Sequence, residues 1–158
     1  MKRSECIANR LREVLLNGQW IANTNYQDQL LNTGWQHAVH QIEGLNTIAA
    51  LTYHINYYLS GILNVFKGGA LEIKDQYSFS LPPIRSATGW KKLVEEFLSN
   101  ASVFAKEVEE MPDEKLDEVF VDERYGSYLR NLEAVIEHSY YHLGQIVLIK
   151  KLILAQKK

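Results

Sequence analysis

Cysteine is nearly absent. The 158 residues hold one, Cys6, which excludes an internal disulfide framework and any zinc site built from several thiolates. A bound metal would rest mainly on nitrogen and oxygen ligands, and a reducing, cytoplasmic compartment is expected. Proline is scarce: Pro82, Pro83 and Pro112 are the only three, and all fall between hydrophobic-periodic segments. No apolar run approaches the roughly 18 positions that would mark a membrane span. Arg10, Arg12 and Glu13 interrupt the first hydrophobic segment, which argues against a signal peptide. Charge of one sign is lacking as well. A formal net charge of −2 gives no reason to expect nucleic acid as a partner. Lys150, Lys151, Lys157 and Lys158 read instead as cations at a helix C-terminus, where the macrodipole favours them. Also missing are HExxH, ExxH, GxSxG and a glycine-rich phosphate loop, which removes zincin, carboxylate di-iron and serine-hydrolase readings.

What the chain does have is helical periodicity. Ile7, Leu11, Val14 and Leu15 recur at helix spacing between Ser4, a candidate N-cap, and the stop signal Asn17-Gly18. Gln19 to Gly44 is less regular, with one short helix expected at Thr33-Gly34-Trp35-Gln36, which fits a capping box. Asn46 to Lys67 predicts a long helix, capped by Asn46 or Thr47 and ended by Gly68-Gly69. Its apolar stripe is Ile48, Leu51, Ile55, Leu59, Ile62 and Phe66. Gly68 to Ala87 has no period, and a stretch this long either covers a site or simply crosses between helices. Thr88 to Glu110 predicts a third long helix, with Trp90, Leu93, Val94, Phe97, Val103, Phe104 and Val108 inward. Glu95, Glu96, Lys106, Glu107 and Glu109 form its expected solvated face. After a break at Pro112 and a stretch from Val119 to Gly126 that can be extended, Ser127 to Gln156 predicts the longest helix. The expected fold is therefore all-α, one domain over residues 1–158: an up-and-down-type four-helix bundle with an additional short helix and a long crossover loop.

The last helix carries His138 and His142. Residues four apart stack on one helix face with Cβ atoms about 5–6 Å apart, close enough for both imidazoles to reach one metal ion. Histidines at this spacing also occur in helices with no ligand role. His54 lies beside the apolar stripe of its helix, where a lone histidine is most simply a hydrogen-bonded core residue. His37 and His40 read as surface or helix-end histidines. Gly144, inside the last helix, costs about 1 kcal/mol relative to alanine, which a close helix contact would explain.

The run His138-Ser139-Tyr140-Tyr141-His142-Leu143-Gly144-Gln145-Ile146 resembles the C-terminal signature of the DinB-like (YfiT-like) metalloenzyme superfamily. Thr47 to Tyr58, with His54 at its centre, resembles that family's other metal-bearing helix. The resemblance implies a DinB/YfiT-like bundle in which His54, His138 and His142 hold one divalent metal ion. Many relatives carry a further histidine where this chain has Tyr141. Three neutral imidazoles leave a coordination position open, as in catalytic zinc sites. They suit zinc or nickel foremost, with iron or manganese as further choices. A metal so held lowers the pKa of a water or thiol beside it. Helical spacing offers Tyr57, Tyr58, Tyr141 and Gln145 as residues that orient the imidazoles. Glu137 points about 100° away from His138, so no general base is assigned.

The resemblance further implies a thiol transferase or hydrolase acting on a small molecule, with a low-molecular-weight thiol as a candidate cosubstrate and a homodimer as a candidate assembly. The alternative is a non-enzymatic bundle that binds a metal or a partner.

Overall fold

The computed structural model describes residues 1–156. Lys157 and Lys158 of the expected C-terminal cation group lie outside the described residues. Among the described residues six α-helices form: α1 (Arg3–Arg12), α2 (Tyr26–Leu31), α3 (Trp35–Ala38), α4 (Ile48–Phe66), α5 (Ala87–Glu110) and α6 (Tyr128–Ala155). The only β pairing among the described residues is an isolated bridge, Val119 to Ser127. None of the described helices is long and apolar enough to cross a membrane.

The expected bundle of α1, α4, α5 and α6 is present, with two short helices rather than one. Each long helix starts where a side chain meets its free N–H groups. Thr47 caps α4 by accepting from the Ala50 N–H at 3.0 Å. Ser86 caps α5 by accepting from Gly89, and Ser127 caps α6 by accepting from Arg130. Helix α1 departs from expectation. Ser4 is buried inside its first turn, and the carboxylate of Asp113 accepts from the N–H groups of Arg3 and Ser4 at 3.0 and 2.9 Å. A cap from another segment replaces the local one, placing an anion at the positive end of the helix dipole. The helix then continues into a π turn, Glu13–Asn17, before Gly18.

Helix α2 was not expected; its six residues are too few to show a period. Asn25 caps it, and its buried Tyr26 stacks on Phe97 and donates to the Ser139 carbonyl at 2.9 Å. The capping box expected at Thr33 does not form. Gly34 takes the N-cap position of α3, because the Thr33 hydroxyl donates back to the Gln29 carbonyl at 2.6 Å.

Contacts along the helices set their directions. Asn56 of α4 meets Glu96 and Asn100 of α5, and Phe66 meets Phe104, so α4 and α5 run parallel. His54 meets His138 and Phe66 meets Tyr128, so α4 and α6 run antiparallel. Parallel neighbours cannot be joined by a short turn. The segment after Phe66 must return along α4, about 28 Å at 1.5 Å per residue. That is why residues 67–86 are long and non-periodic. Gly68 turns the chain at φ +86°, and Gly61 leaves the space that the Ile73 side chain fills as the crossover passes.

The inward stripes of α4 and α5 are those expected, except that Phe66 and Val103 are only half-buried and Ala101 and Ala105 complete the face of α5. Two residues expected on its solvated face have partners: Glu109 pairs with Arg12 at 2.6 Å, and Glu96 accepts from Asn56. Lys150 is not a free terminal cation, since its ammonium donates to the Gln29 carbonyl. Gly144 is also corrected. It is exposed, and an added Cβ would meet nothing within 4 Å, so no close contact inside the chain explains it.

Candidate metal centre

The antiparallel pairing of α4 with α6 places His54 opposite His138 and His142. His138 and His142 lie one helical turn apart, and the apolar residues around them (Val135, Leu143 and Ile146) anchor that face of α6 in the core. His54 projects from α4 between the buried Leu51 and Ile55. The ligand atoms of the three imidazoles all lie within 4.8 Å of one another. Nε2 of His138 sits 3.1 Å from Nε2 of His54 and 2.8 Å from Nε2 of His142. His37 and His40 lie outside this group.

The hydrogen bonds behind the rings fix which nitrogens are bare. Nδ1 of His54 faces the Ser78 carbonyl at 3.3 Å, and Nδ1 of His142 faces Oε1 of Gln145 at 2.6 Å. Both oxygens can only accept, so both Nδ1 atoms carry the proton. Burial, then the neighbouring imidazoles His138 and His142, push the pKa of His54 down to about 4. Burial lowers those of His138 and His142 as well. The rings are thus neutral near pH 7, and Nε2 of His54 and of His142 each presents a lone pair. His138 faces both. A single proton on its Nε2 can serve only one of the two contacts, leaving the other as lone pair against lone pair.

A divalent cation satisfies all three nitrogens at once. Nitrogens about 2.0–2.1 Å from one tetrahedral zinc stand about 3.3 Å apart, within about half an ångström of both separations from His138. The donor set therefore fits a metal ion. A backbone carbonyl, as Ser78 places behind His54, is a common orienting partner of a metal-binding imidazole.

Four residues were expected around the histidines. Gln145 holds His142. Tyr58 lies edge-on to His54 at 5.1 Å and to His138 at 5.5 Å, and its hydroxyl donates to Asp75 at 2.8 Å. Tyr141 is 65% exposed, with its ring 4.9 Å from that of His142. Tyr57 does not reach the histidines. It points to the crossover, where its hydroxyl bonds the Lys74 backbone, and it touches Tyr58 edge-on.

The crossover supplies what sequence reading missed. Phe79 stacks on His54 at 4.0 Å with the planes 12° apart, Ser78 gives the carbonyl, and Asp75 holds Tyr58. The only signal in the sequence was the unusual length of this segment. Beside Tyr58 opens a cavity of about 310 Å³, lined mainly by Ile62, Leu71, Ile73, Asp75, Phe120 and Asn131.

A family model described as the DinB superfamily matches residues 28–146, a span that includes all three histidines and both orienting partners. Searches of curated proteins and of solved structures return no match.

Proposed function

We propose, for a chain that belongs to the DinB superfamily, that His54, His138 and His142 hold one divalent metal ion at the centre of an enzyme active site. The observation that carries this reading is the convergence of bare nitrogens. Two imidazoles have their protons tied away from the cluster, at Ser78 and Gln145, and the third faces both. Zinc and nickel suit this all-imidazole set best, with iron or manganese also compatible.

When bound, the ion supplies Lewis acidity that lowers the pKa of a thiol or water beside it. The chain's own residues prepare that chemistry. Ser78 and Gln145 keep the ligand nitrogens deprotonated and aimed. Phe79 covers one face of His54 and excludes water there. Tyr58 stands between the histidines and the cavity, its hydroxyl donating to Asp75. The cavity, about 310 Å³, is at the lower end of small-ligand sites, and its walls are mainly apolar. It therefore suits a small substrate, and we assign the reaction class as thiol transfer from a low-molecular-weight thiol, or hydrolysis. The exposed free thiol of Cys6 fits a reducing, cytoplasmic setting.

The non-enzymatic reading, a metal- or partner-binding bundle, draws on the exposed apolar residues Trp20, Ile21 and Leu31. Metal analysis by mass spectrometry, on untagged protein purified without added metal, tests the first step. About one ion per chain, lost in His54→Ala and His142→Ala, supports the site and opens thiol-transfer and hydrolysis assays with that metal restored. No metal, and no uptake of zinc, nickel, iron or manganese, removes the metalloenzyme reading. Metal binding with turnover retained in His142→Ala removes the catalytic role alone.

A further inference from the structure

The polar side chains of the cavity beside Tyr58 are nearly all of one kind. Oδ1 of Asp75 accepts from the Tyr58 hydroxyl at 2.8 Å, and the second carboxylate oxygen has no donor. Among the described residues no lysine, arginine or histidine pairs with Asp75. The side-chain nitrogen of Asn131 donates to the carbonyls of Tyr125 and Ser127 at 2.8 Å each, one acceptor for each of its hydrogens. What remains of that amide is its oxygen. The Tyr58 hydroxyl has committed its proton to Asp75 and can still accept. Asp75, Asn131 and Tyr58 thus have acceptor capacity left and no donor. Only the Tyr125 hydroxyl can act either way.

The rest of the wall is apolar: Ile62, Leu71, Ile73 and the ring of Phe120. A negative charge at the edge of an apolar enclosure favours a cation beside it. An ammonium answers the whole set, with three donors, no acceptor and one positive charge. A neutral hydroxyl or amide brings an acceptor of its own, and an anion is repelled by Asp75. The rings of Tyr58, Phe120 and Tyr125 are also of the type against which organic cations settle. The wall is built in advance. The Phe120 N–H donates to the Gly126 carbonyl at 2.8 Å and the Tyr128 N–H to the Glu118 carbonyl at 3.0 Å, which closes the loop carrying Phe120 and Tyr125. That closure holds Val121, a β-branched residue, at φ +53°, a conformation usually left to glycine. Strain of this kind persists only where its surroundings impose it.

We propose that this cavity takes the ammonium group of the substrate, with Asp75 as counter-ion and the side-chain oxygens of Asn131 and Tyr58 accepting beside it. The substrate class is then a small primary amine with an apolar body. This assignment rests on the reading of the cavity as the substrate pocket of the metal centre. Asp75 is no member of the histidine cluster, so it selects the substrate and does not hold the ion.

Phenethylamine, phenethyl alcohol and hydrocinnamate share an apolar body and carry a positive, a neutral and a negative end. Titration of each into metal-free protein, followed by two-dimensional NMR, reads affinity and location together. The amine should bind about tenfold more tightly than the alcohol, and hydrocinnamate more weakly than either. The largest shifts should include Phe120 and the side-chain amide of Asn131. Asp75→Asn keeps the shape and an acceptor for Tyr58. It should bring the amine down to the affinity of the alcohol and leave the alcohol unchanged, which also shows that the variant is folded. Absence of amine binding overturns the proposal, as does equal binding of amine and alcohol. So does a preference for the amine that survives Asp75→Asn, or amine-induced shifts confined to other residues. His142→Ala separates this inference from the metal reading, since it should lose the ion and keep the amine preference. A wild type that takes up no metal but selects the amine leaves a cation site and removes the metal centre. One that holds the metal but is indifferent to the amine removes the cation site alone.

Discussion

Nδ1 of His54 lies 3.3 Å from the carbonyl oxygen of Ser78, twenty-four residues further along the chain. This contact joins the topology of the bundle to the chemistry of the site. Because α4 and α5 run parallel, the crossover must retrace α4 and pass His54 on the way. In passing it donates a backbone acceptor from Ser78, an aromatic cover from Phe79 and a carboxylate for Tyr58 from Asp75. A strictly alternating bundle with short turns would have no such strand of chain beside its histidine.

Gln145 does for His142 what Ser78 does for His54, but through a replaceable side chain. Gln145→Leu keeps the volume and removes the acceptor 2.6 Å from Nδ1. Loss of such an orienting partner typically weakens metal binding by about 10–100-fold. Chelator-competition titration should find a loss in this range. The metal-free variant should melt close to the metal-free wild type, because Gln145 is only half-buried.

Metal should also stabilise the fold. A ligand that binds only the folded state at about 1,000 times its dissociation constant adds about 4 kcal/mol. For a chain of this size, each kcal/mol moves the melting temperature by about 2–4 °C. Scanning calorimetry of the chelated protein, before and after zinc or nickel is added, should show a rise of about 10 °C. The rise should vanish in His138→Ala. An equal rise in that variant would place the metal elsewhere.

Much of this was legible in the sequence, and the reasons differ by element. Helices α4, α5 and α6 announce themselves through periodic stripes such as Ile48-Leu51-Ile55-Leu59, and α4 also through Thr47 as a cap, because burial and capping are local demands. The i, i+4 spacing of His138 and His142 brings both imidazoles to one face of α6, and the family resemblance adds His54. What stayed hidden depends on tertiary contact. The cap of α1 comes from Asp113, more than a hundred residues away, so Ser4 was a misleading local signal. The six residues of α2 are held by the burial of Tyr26 rather than by a pattern. Ser78 and Phe79 lie in a segment with no period, where no spacing says which residue will face a histidine. Gly144 suggested a close internal contact, whereas its open side faces outward.

The distant cap gives a stability prediction. Asp113→Ala removes the acceptor of two N–H groups at the start of α1, together with an anion favoured at that helix end. Caps of this kind are worth about 1 kcal/mol, with a range of about 0.5–2. Urea unfolding should show a loss within that range with an unchanged slope. Metal content per folded chain should be unaltered, since Asp113 bonds the start of α1 and is not part of the histidine cluster.

Acid should act on the same cluster that binds the metal, and the direction follows from the shifted histidines. In the folded, metal-free chain the pKa of His54 is held down to about 4, mainly by burial and further by His138 and His142. In the unfolded chain it returns to about 6.5. Between these values the unfolded state binds more protons than the folded one, so stability rises with pH across the window. It is fully present above about 6.5 and lost as the pH falls toward 4. His138 and His142, lowered by burial, contribute in the same direction. Chemical unfolding of chelated protein at a series of pH values from neutral to mildly acidic should therefore show decreasing stability, with a shallower slope in His54→Ala. Metal affinity should fall over the same range, because protons compete for the same nitrogens. A slope unchanged by His54→Ala would mean that this imidazole is already protonated in the folded chain, and that its Nε2 is not the bare donor the cluster requires.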